Sequence, residues 1–307
     1  MKNMRIPILG ALGVAILGII LGSFFDYQLS SAIASPTSVF GLTISVIGPT
    51  IGFCGLAFIG GGFAALSTKQ TKLWIRICFI ALAFAAGFVT VYYAGREYFG
   101  VNGFYKKAPD IVGMLIVAVL AIGAEVGGFY TFRNCENKNA WIPFLCVYIV
   151  LLLVLVAAIP VLKDVMHRPR YRLISQTDVV TFHQWYQPCP EYKEYLEVLG
   201  AEHSDDFKSF PSGHTGEASI LIVIAAFLPL ADEKFKKYQL PMFIGACAFV
   251  ILIAFARICA AAHFLSDVSM GATLTLLFTC IANEILIFIN SRGKKEIQTG
   301  EEKENIS

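Results

Sequence analysis

Arg257, His263 and Asp267 stand in one short, otherwise apolar stretch, Arg257-Ile-Cys-Ala-Ala-Ala-His263-Phe-Leu-Ser-Asp267. His263 and Asp267 are four residues apart, so on a helix they would share one face. A carboxylate so placed can hold an imidazole in one tautomer and support positive charge on it. Arg257 adds a planar donor fork suited to phosphate oxygens. Taken alone, the stretch reads equally well as a polar clamp between two membrane helices, although intramembrane ionisable residues are costly and point by default to function.

Two more polar clusters change that balance. Lys163-Asp-Val-Met-His-Arg168-Pro-Arg170-Tyr171 follows one apolar run, and Phe210-Pro211-Ser212-Gly213-His214-Thr215 precedes another. With the first stretch they supply Lys163, Arg168, Arg170 and Arg257 as cations, together with His214 and His263. Cations gathered at one membrane face call for an anion, and phosphate is the obvious one; contact with anionic headgroups is the plainer alternative. Pro211-Ser212-Gly213-His214 reads as a helix start, where the Ser212 hydroxyl and free backbone N–H groups can meet an oxyanion. Gly213 permits close approach of backbone to ligand, and His214 could protonate a leaving alkoxide. Alone, this motif would be an ordinary serine N-cap.

The elements that must position these residues are membrane helices. The chain has 307 residues, 56% of them hydrophobic and 15% charged, with a mean hydropathy of +0.67, which excludes an ordinary soluble domain. A net charge of +2 implies no nucleic-acid partner. The eight cysteines show no CxxC or Cys/His metal spacing, and most lie in apolar runs. Apolar runs predict about eight spans: Ile6–Phe25, Ser45–Leu66, Leu73–Gly95, Ile111–Phe132, Trp141–Leu162, Pro211–Leu230, Leu240–Ala256 and Leu265–Ile289. The first is long for a signal-peptide core and is read as an uncleaved helix, with Ala32-Ile33-Ala34 as a competing cleavage site. Alternate connections carry the lysines and arginines, among them Lys69, Lys72, Lys234, Lys236 and Lys237. By the positive-inside rule these face the cytoplasm, as do both termini, and all three polar clusters then fall on the extracytoplasmic side. The Arg292–Ser307 tail reads as polar and disordered.

The three clusters resemble the signature of the type-2 phosphatidic acid phosphatase superfamily, which also includes vanadium haloperoxidases: Lys-x6-Arg-Pro, then Pro-Ser-Gly-His, then Ser-Arg-x5-His-x3-Asp. Lys163 and Arg170 have the first spacing, Pro211–His214 match the second motif completely, and Arg257, His263 and Asp267 have the spacing of the third. There are two departures. Tyr171 replaces the proline after the arginine, with Arg168-Pro169 as a rival pair two residues short of the spacing, and Ala256 replaces the serine before Arg257. The resemblance implies that His263 is a nucleophile forming a phosphohistidine, that Asp267 orients it, and that His214 protonates the leaving oxygen and then activates water. It also implies that Lys163, Arg170, Arg257, Ser212 and Gly213 hold the phosphate oxygens, with Arg168 as a second phosphate contact. No metal and no cofactor is implied.

The expected fold is therefore all-α, a polytopic helical membrane bundle of about eight spans. Residues 1–70 form an additional helix pair, 71–291 a six-helix phosphatase core, and 292–307 the tail. The expected activity is metal-independent hydrolysis of a lipid phosphate monoester or pyrophosphate, in the plasma membrane, on an amphiphilic substrate. A phosphotransferase, a sugar-phosphate phosphatase and, from another class, a non-catalytic lipid-binding scaffold are the alternatives. Of the remaining polar residues, Glu217 is expected to support His214, Glu125 and Glu284 to pair across helices, and His183 and His203 to lie on the surface.

Overall fold

In the computed structural model, residues 4–99, 111–133, 150–151, 154–230 and 232–304 are described, and all regular structure among them is helical. Long apolar helices form first: α1 Arg5–Ile33, α2 Val39–Ser67, α3 Leu73–Phe99 and α4 Ile111–Arg133. A π-helical turn, Val154–Ala158, leads into α5 Ile159–Met166. The long polar segment carries α6 Tyr171–Ile174 and α7 Tyr192–Leu199. The chain then re-enters the bundle as α8 Gly213–Ala218 and α9 Ile220–Phe227, followed by α10 Gln239–Cys259 and α11 Leu265–Glu304.

Seven of the helical stretches among the described residues are long and apolar enough to cross a membrane. The fifth expected span, Trp141–Leu162, lies largely outside the described residues; its end is the turn and start of α5. Ile6, Phe84 and Val119 are exposed on the outside of the bundle. Such a belt is what lipid-facing surfaces need, since hydrocarbon makes no demand for polar cover. The chain is thus a helical integral membrane protein.

Two elements differ from expectation. The first helix does not stop at Phe25: it continues to Ile33, so Asp26 is a buried residue within it rather than the start of a connection. The last helix runs on through the expected disordered tail to Glu304, where lysine, glutamate and glutamine are good helix formers.

Helix α1 lies along α11, and α2 is flanked by α3 and α4. The α1–α2 turn meets the end of α10, since Ser35 N donates to the Cys259 carbonyl at 2.9 Å. At the far end, Arg5 makes a two-pronged contact with Glu284, 2.9 and 2.7 Å long, so Glu284 pairs across helices as expected. Glu125 instead faces Gly60 and Gly87 of neighbouring helices. The end of α1, the end of α10 and the start of α11 therefore share one end of the bundle.

The long polar segment covers that end as a small folded cap. Leu173, Val180, Cys189 and Phe207 form its own core. Trp185 stacks near Phe210 and donates to Ser23 Oγ of α1 at 2.8 Å, tying the cap to the bundle. His183, expected at the surface, has a side chain only 14% exposed beside Glu191; His203 is the more exposed and pairs with Asp206 at 3.1 Å.

Candidate active site

Lys163 sits in the last turn of α5, and His167 closes the helix with a left-handed conformation, φ 42°. The His167 ring lies flat on Tyr192, 3.9 Å between centroids, so it serves as a cap and a packing surface. Beyond it the two rival arginines part company. Arg168 is wholly buried. Its Nε donates to the His183 carbonyl at 2.9 Å, and one Nη donates to Ser266 Oγ (2.9 Å) and Asp267 Oδ1 (2.5 Å). The other Nη donates to Asp26 Oδ2 at 2.9 Å. The guanidinium also lies 4.3 Å from the Phe264 ring centroid. Protein groups thus occupy its fork, and it stands behind Asp267 rather than in the role of a phosphate contact that the sequence suggested. Arg170 instead pairs with Asp205 at 3.0 Å, while its backbone N–H donates to the Asp206 carbonyl at 2.7 Å.

Tyr171, the departure from proline, opens α6. That first helical position leaves its N–H without an intrahelical partner, so proline is favoured there but not required. The tyrosine ring packs edge-on against Tyr27 and Phe264.

Pro211–His214 start α8 as the sequence predicts. The Ser212 N–H donates to the Asp267 carbonyl at 2.9 Å, and Ser212 Oγ accepts from Thr215 Oγ1 at 3.1 Å. This loop lies so close to α11 that a Cβ on Gly271 would overlap the Ser212 carbonyl oxygen. A Cβ on Gly213 would lie 3.8 Å from Lys163 Nζ and 3.4 Å from Glu217 Oε1. The first and second motifs therefore meet at Gly213, with Glu217 beside them and His214 buried on the same turn.

The third motif is not one continuous helix. Arg257 is buried in the last turn of α10, and α11 begins only at Leu265. Between them Ala261 has φ 55°, a left-handed conformation that costs an L-residue about 1–2 kcal/mol. Among the hydrogen bonds that hold this turn are Arg172 N to the Ala261 carbonyl (2.9 Å), Ala261 N to the Ile258 carbonyl (2.9 Å) and Ala262 N to the Arg257 carbonyl (3.2 Å). The turn sets the His263 ring so that Nδ1 lies 2.6 Å from the Ser209 carbonyl oxygen. Asp267 Oδ2 is 3.8 Å from the same nitrogen. It accepts closer bonds from Ser209 Oγ (2.5 Å) and from the Phe264 N–H at 2.8 Å. The i,i+4 pair is real but loose, and Ser209 is the residue that touches both members.

A carbonyl oxygen can only accept, so His263 Nδ1 carries the proton and Nε2 keeps its lone pair. Burial pushes the His263 pKa well down, Asp267 opposes this, and Arg257 and Arg170 push further down. The site thus favours the neutral ring, with Nε2 unprotonated in a cationic surrounding. Burial also lowers Lys163 to about 8, with Arg170 and Arg257 adding to the effect and Asp205 and Glu217 opposing it. Burial alone would raise the Asp205 pKa, but Arg170, Lys163, Arg172 and Lys208 outweigh it and bring it below the usual carboxylate range. Lys163, Arg170 and Arg257 crowd together, and Asp205 offsets the first two, so a multivalent anion would relieve the site.

The sequence reading did not single out Ser209, Ser266, Asp205 or Asp26. Asp26 carried a usable signal, a lone carboxylate at the end of a twenty-residue apolar run. The others are common residues whose importance comes only from the fold.

Comparison with known proteins agrees with the three motifs. Neither curated proteins nor solved structures give a match to this chain. Residues 144–288 match the model of the PAP2 superfamily. That segment, just under half of the chain, holds all three motifs and runs from before α5 into α11, so this part of the chain is similar to the PAP2 superfamily, and the long apolar helices are consistent with an integral membrane member of it.

Proposed function

We propose that this protein is a membrane phosphatase that hydrolyses a lipid phosphate monoester or lipid pyrophosphate through a phosphohistidine on the extracytoplasmic face. The single observation that carries this reading is the His263 Nδ1–Ser209 carbonyl contact of 2.6 Å, which leaves Nε2 as the nucleophilic nitrogen among Arg257 and Arg170. The Nε2 lone pair forms an N–P bond as the bond from phosphorus to the leaving oxygen breaks, and His214 gives that oxygen its proton. Water then attacks phosphorus, His214 takes its proton, and the N–P bond breaks to release inorganic phosphate. Lys163, Arg170, Arg257 and the Gly213 N–H hold the non-bridging oxygens, whose charge grows in the transition state. The Ser212 hydroxyl, held by accepting from Thr215 Oγ1, joins that cradle as a donor to the phosphate. An alkyl chain stays in the bilayer while its headgroup enters the cationic end, which favours amphiphilic substrates over soluble sugar phosphates.

The positive-inside rule supports the sidedness, because Lys69, Lys72, Lys234, Lys236 and Lys237 fall at the opposite end of the helices from the site. The test is phosphate release from a panel of lipid phosphates and pyrophosphates presented to sealed vesicles of known orientation, with and without EDTA. Release from the outer face, unaffected by EDTA, is expected. Absence of release from every lipid phosphate would overturn the reading, and transfer to an added alcohol in place of release would favour a phosphotransferase.

A further inference from the structure

Helix α1 lies outside the segment that matches the superfamily, yet it reaches the site through one side chain. Asp26 is fully buried, 1% exposed, although it belongs to an apolar helix. Its Oδ2 accepts from Arg168 Nη at 2.9 Å and from Ser266 Oγ, and its Oδ1 accepts from the Ser266 N–H at 2.9 Å. Gly22, one turn earlier, makes room: a Cβ there would lie 2.7 Å from Ser266 N and 2.8 Å from Asp26 Oδ1. The carboxylate therefore sits against the residue that immediately precedes Asp267.

The arrangement is a buried line of alternating charge, Asp26, Arg168, Asp267, ending at His263. Without Asp26 the whole guanidinium charge would fall on Asp267, which would then offer His263 little negative potential. With Asp26 present, Arg168 is shared between two carboxylates, and the line keeps one net negative charge facing the imidazole. At close range in a buried site such a charge acts with little screening.

We infer that Asp26 is a positioning residue for the nucleophile, which makes α1 a working part of the active site rather than an accessory span. Through Arg168 and Ser266, Asp26 fixes the Asp267 carboxylate and preserves its charge, and so favours the positive phosphoimidazole that forms on His263. This rests on the phosphohistidine reading of His263. The charged groups facing His263 are Arg257 from α10, Arg170 from the segment after α5, and Asp267 from α11, with Arg168 and Asp26 behind Asp267.

The test uses the full chain in detergent or vesicles and the lipid phosphate that the wild type turns over fastest. Asp26→Asn keeps the shape and removes the charge. It should lower kcat by about tenfold or more while KM stays within about twofold, because Asp26 touches no substrate. The acidic limb of the kcat/KM profile, set by His263, should move to lower pH, since the lost negative charge no longer favours the imidazolium. Asp26→Glu, which restores the charge, should bring the limb back toward wild type. Unchanged kcat and an unmoved limb in Asp26→Asn would overturn the inference, as would a kcat loss with no movement of the limb, the mark of a merely structural role. If Asp26→Asn does not fold, Gly22→Ala displaces the carboxylate without removing it, and the same kcat loss is required of it. A His263→Ala variant measured alongside separates the two readings: full activity in that variant defeats the phosphohistidine itself, whereas an inactive His263→Ala beside a wild-type-like Asp26→Asn defeats only the role of Asp26.

Discussion

Ser209 holds His263 by its carbonyl oxygen, 2.6 Å from Nδ1, and with its hydroxyl it holds Asp267 at 2.5 Å. One residue thus fixes both the tautomer of His263 and the position of its carboxylate. Ser209 is itself fixed, since its N–H donates to the Arg168 carbonyl at 3.0 Å. Replacing it with alanine keeps the carbonyl contact and removes only the hydroxyl bond. A hydrogen bond to a charged group contributes about 1.5–3 kcal/mol, so Ser209→Ala should lower kcat by about tenfold to a hundredfold without abolishing turnover. Steady-state kinetics on a lipid phosphate checks this.

Lys163 gives the site a basic limit. Its pKa, lowered to about 8 by burial and by Arg170 and Arg257, lies well below that of a free lysine. In the proposed site the ammonium form binds phosphate oxygens, and it predominates below that pH, so kcat/KM should fall as pH rises through about 8. In Lys163→Arg the cation persists to far higher pH, and this limb should vanish. The pH dependence of kcat/KM, which reports the free enzyme, is the measurement.

Arg168 and Arg170 should separate cleanly when removed. Arg168→Met leaves Asp26 and Asp267 buried without their cation. Breaking a buried pair by deleting one partner costs about 3–5 kcal/mol, so this variant should unfold at a markedly lower temperature as well as lose activity. Arg170 faces a partly exposed carboxylate, so Arg170→Met should keep most of its thermal stability and lose activity. Thermal melting in detergent, set beside phosphate release, distinguishes the two.

Asp205 occupies the cationic end in the resting site, 3.0 Å from Arg170. An incoming phosphate meets this like charge. Asp205→Asn removes it, and because the carboxylate is partly exposed the gain should be modest, about two- to fivefold tighter inhibition by inorganic phosphate. Product-inhibition kinetics checks the direction; weaker inhibition would mean that Asp205 mainly orients Arg170.

Helix positions and the three motifs were legible in the sequence because both rest on local signals. Apolar runs mark spans, and Lys163, Arg170, Pro211–His214, Arg257, His263 and Asp267 keep a fixed spacing. The fate of Arg168 was not legible, because two arginines flanking Pro169 look alike until the fold gives one of them Asp26 and Asp267. Nor was the break between Arg257 and Asp267: it depends on a left-handed Ala261, a conformation that alanine does not announce. Asp26 and Ser209 are remote in sequence from the histidine they serve, and only the packing of α1 on α11 and of the cap on the bundle brings them there.

The most direct test of the phosphohistidine mechanism is trapping of the covalent intermediate. The enzyme is mixed with a lipid substrate radiolabelled in its transferable phosphate, quenched in alkali within milliseconds, and the label is located by peptide mapping. An acid-labile, alkali-stable label on the peptide containing His263, absent in His263→Ala, is the predicted result. Phosphate release by His263→Ala at the wild-type rate, or a label on any other residue, would contradict it.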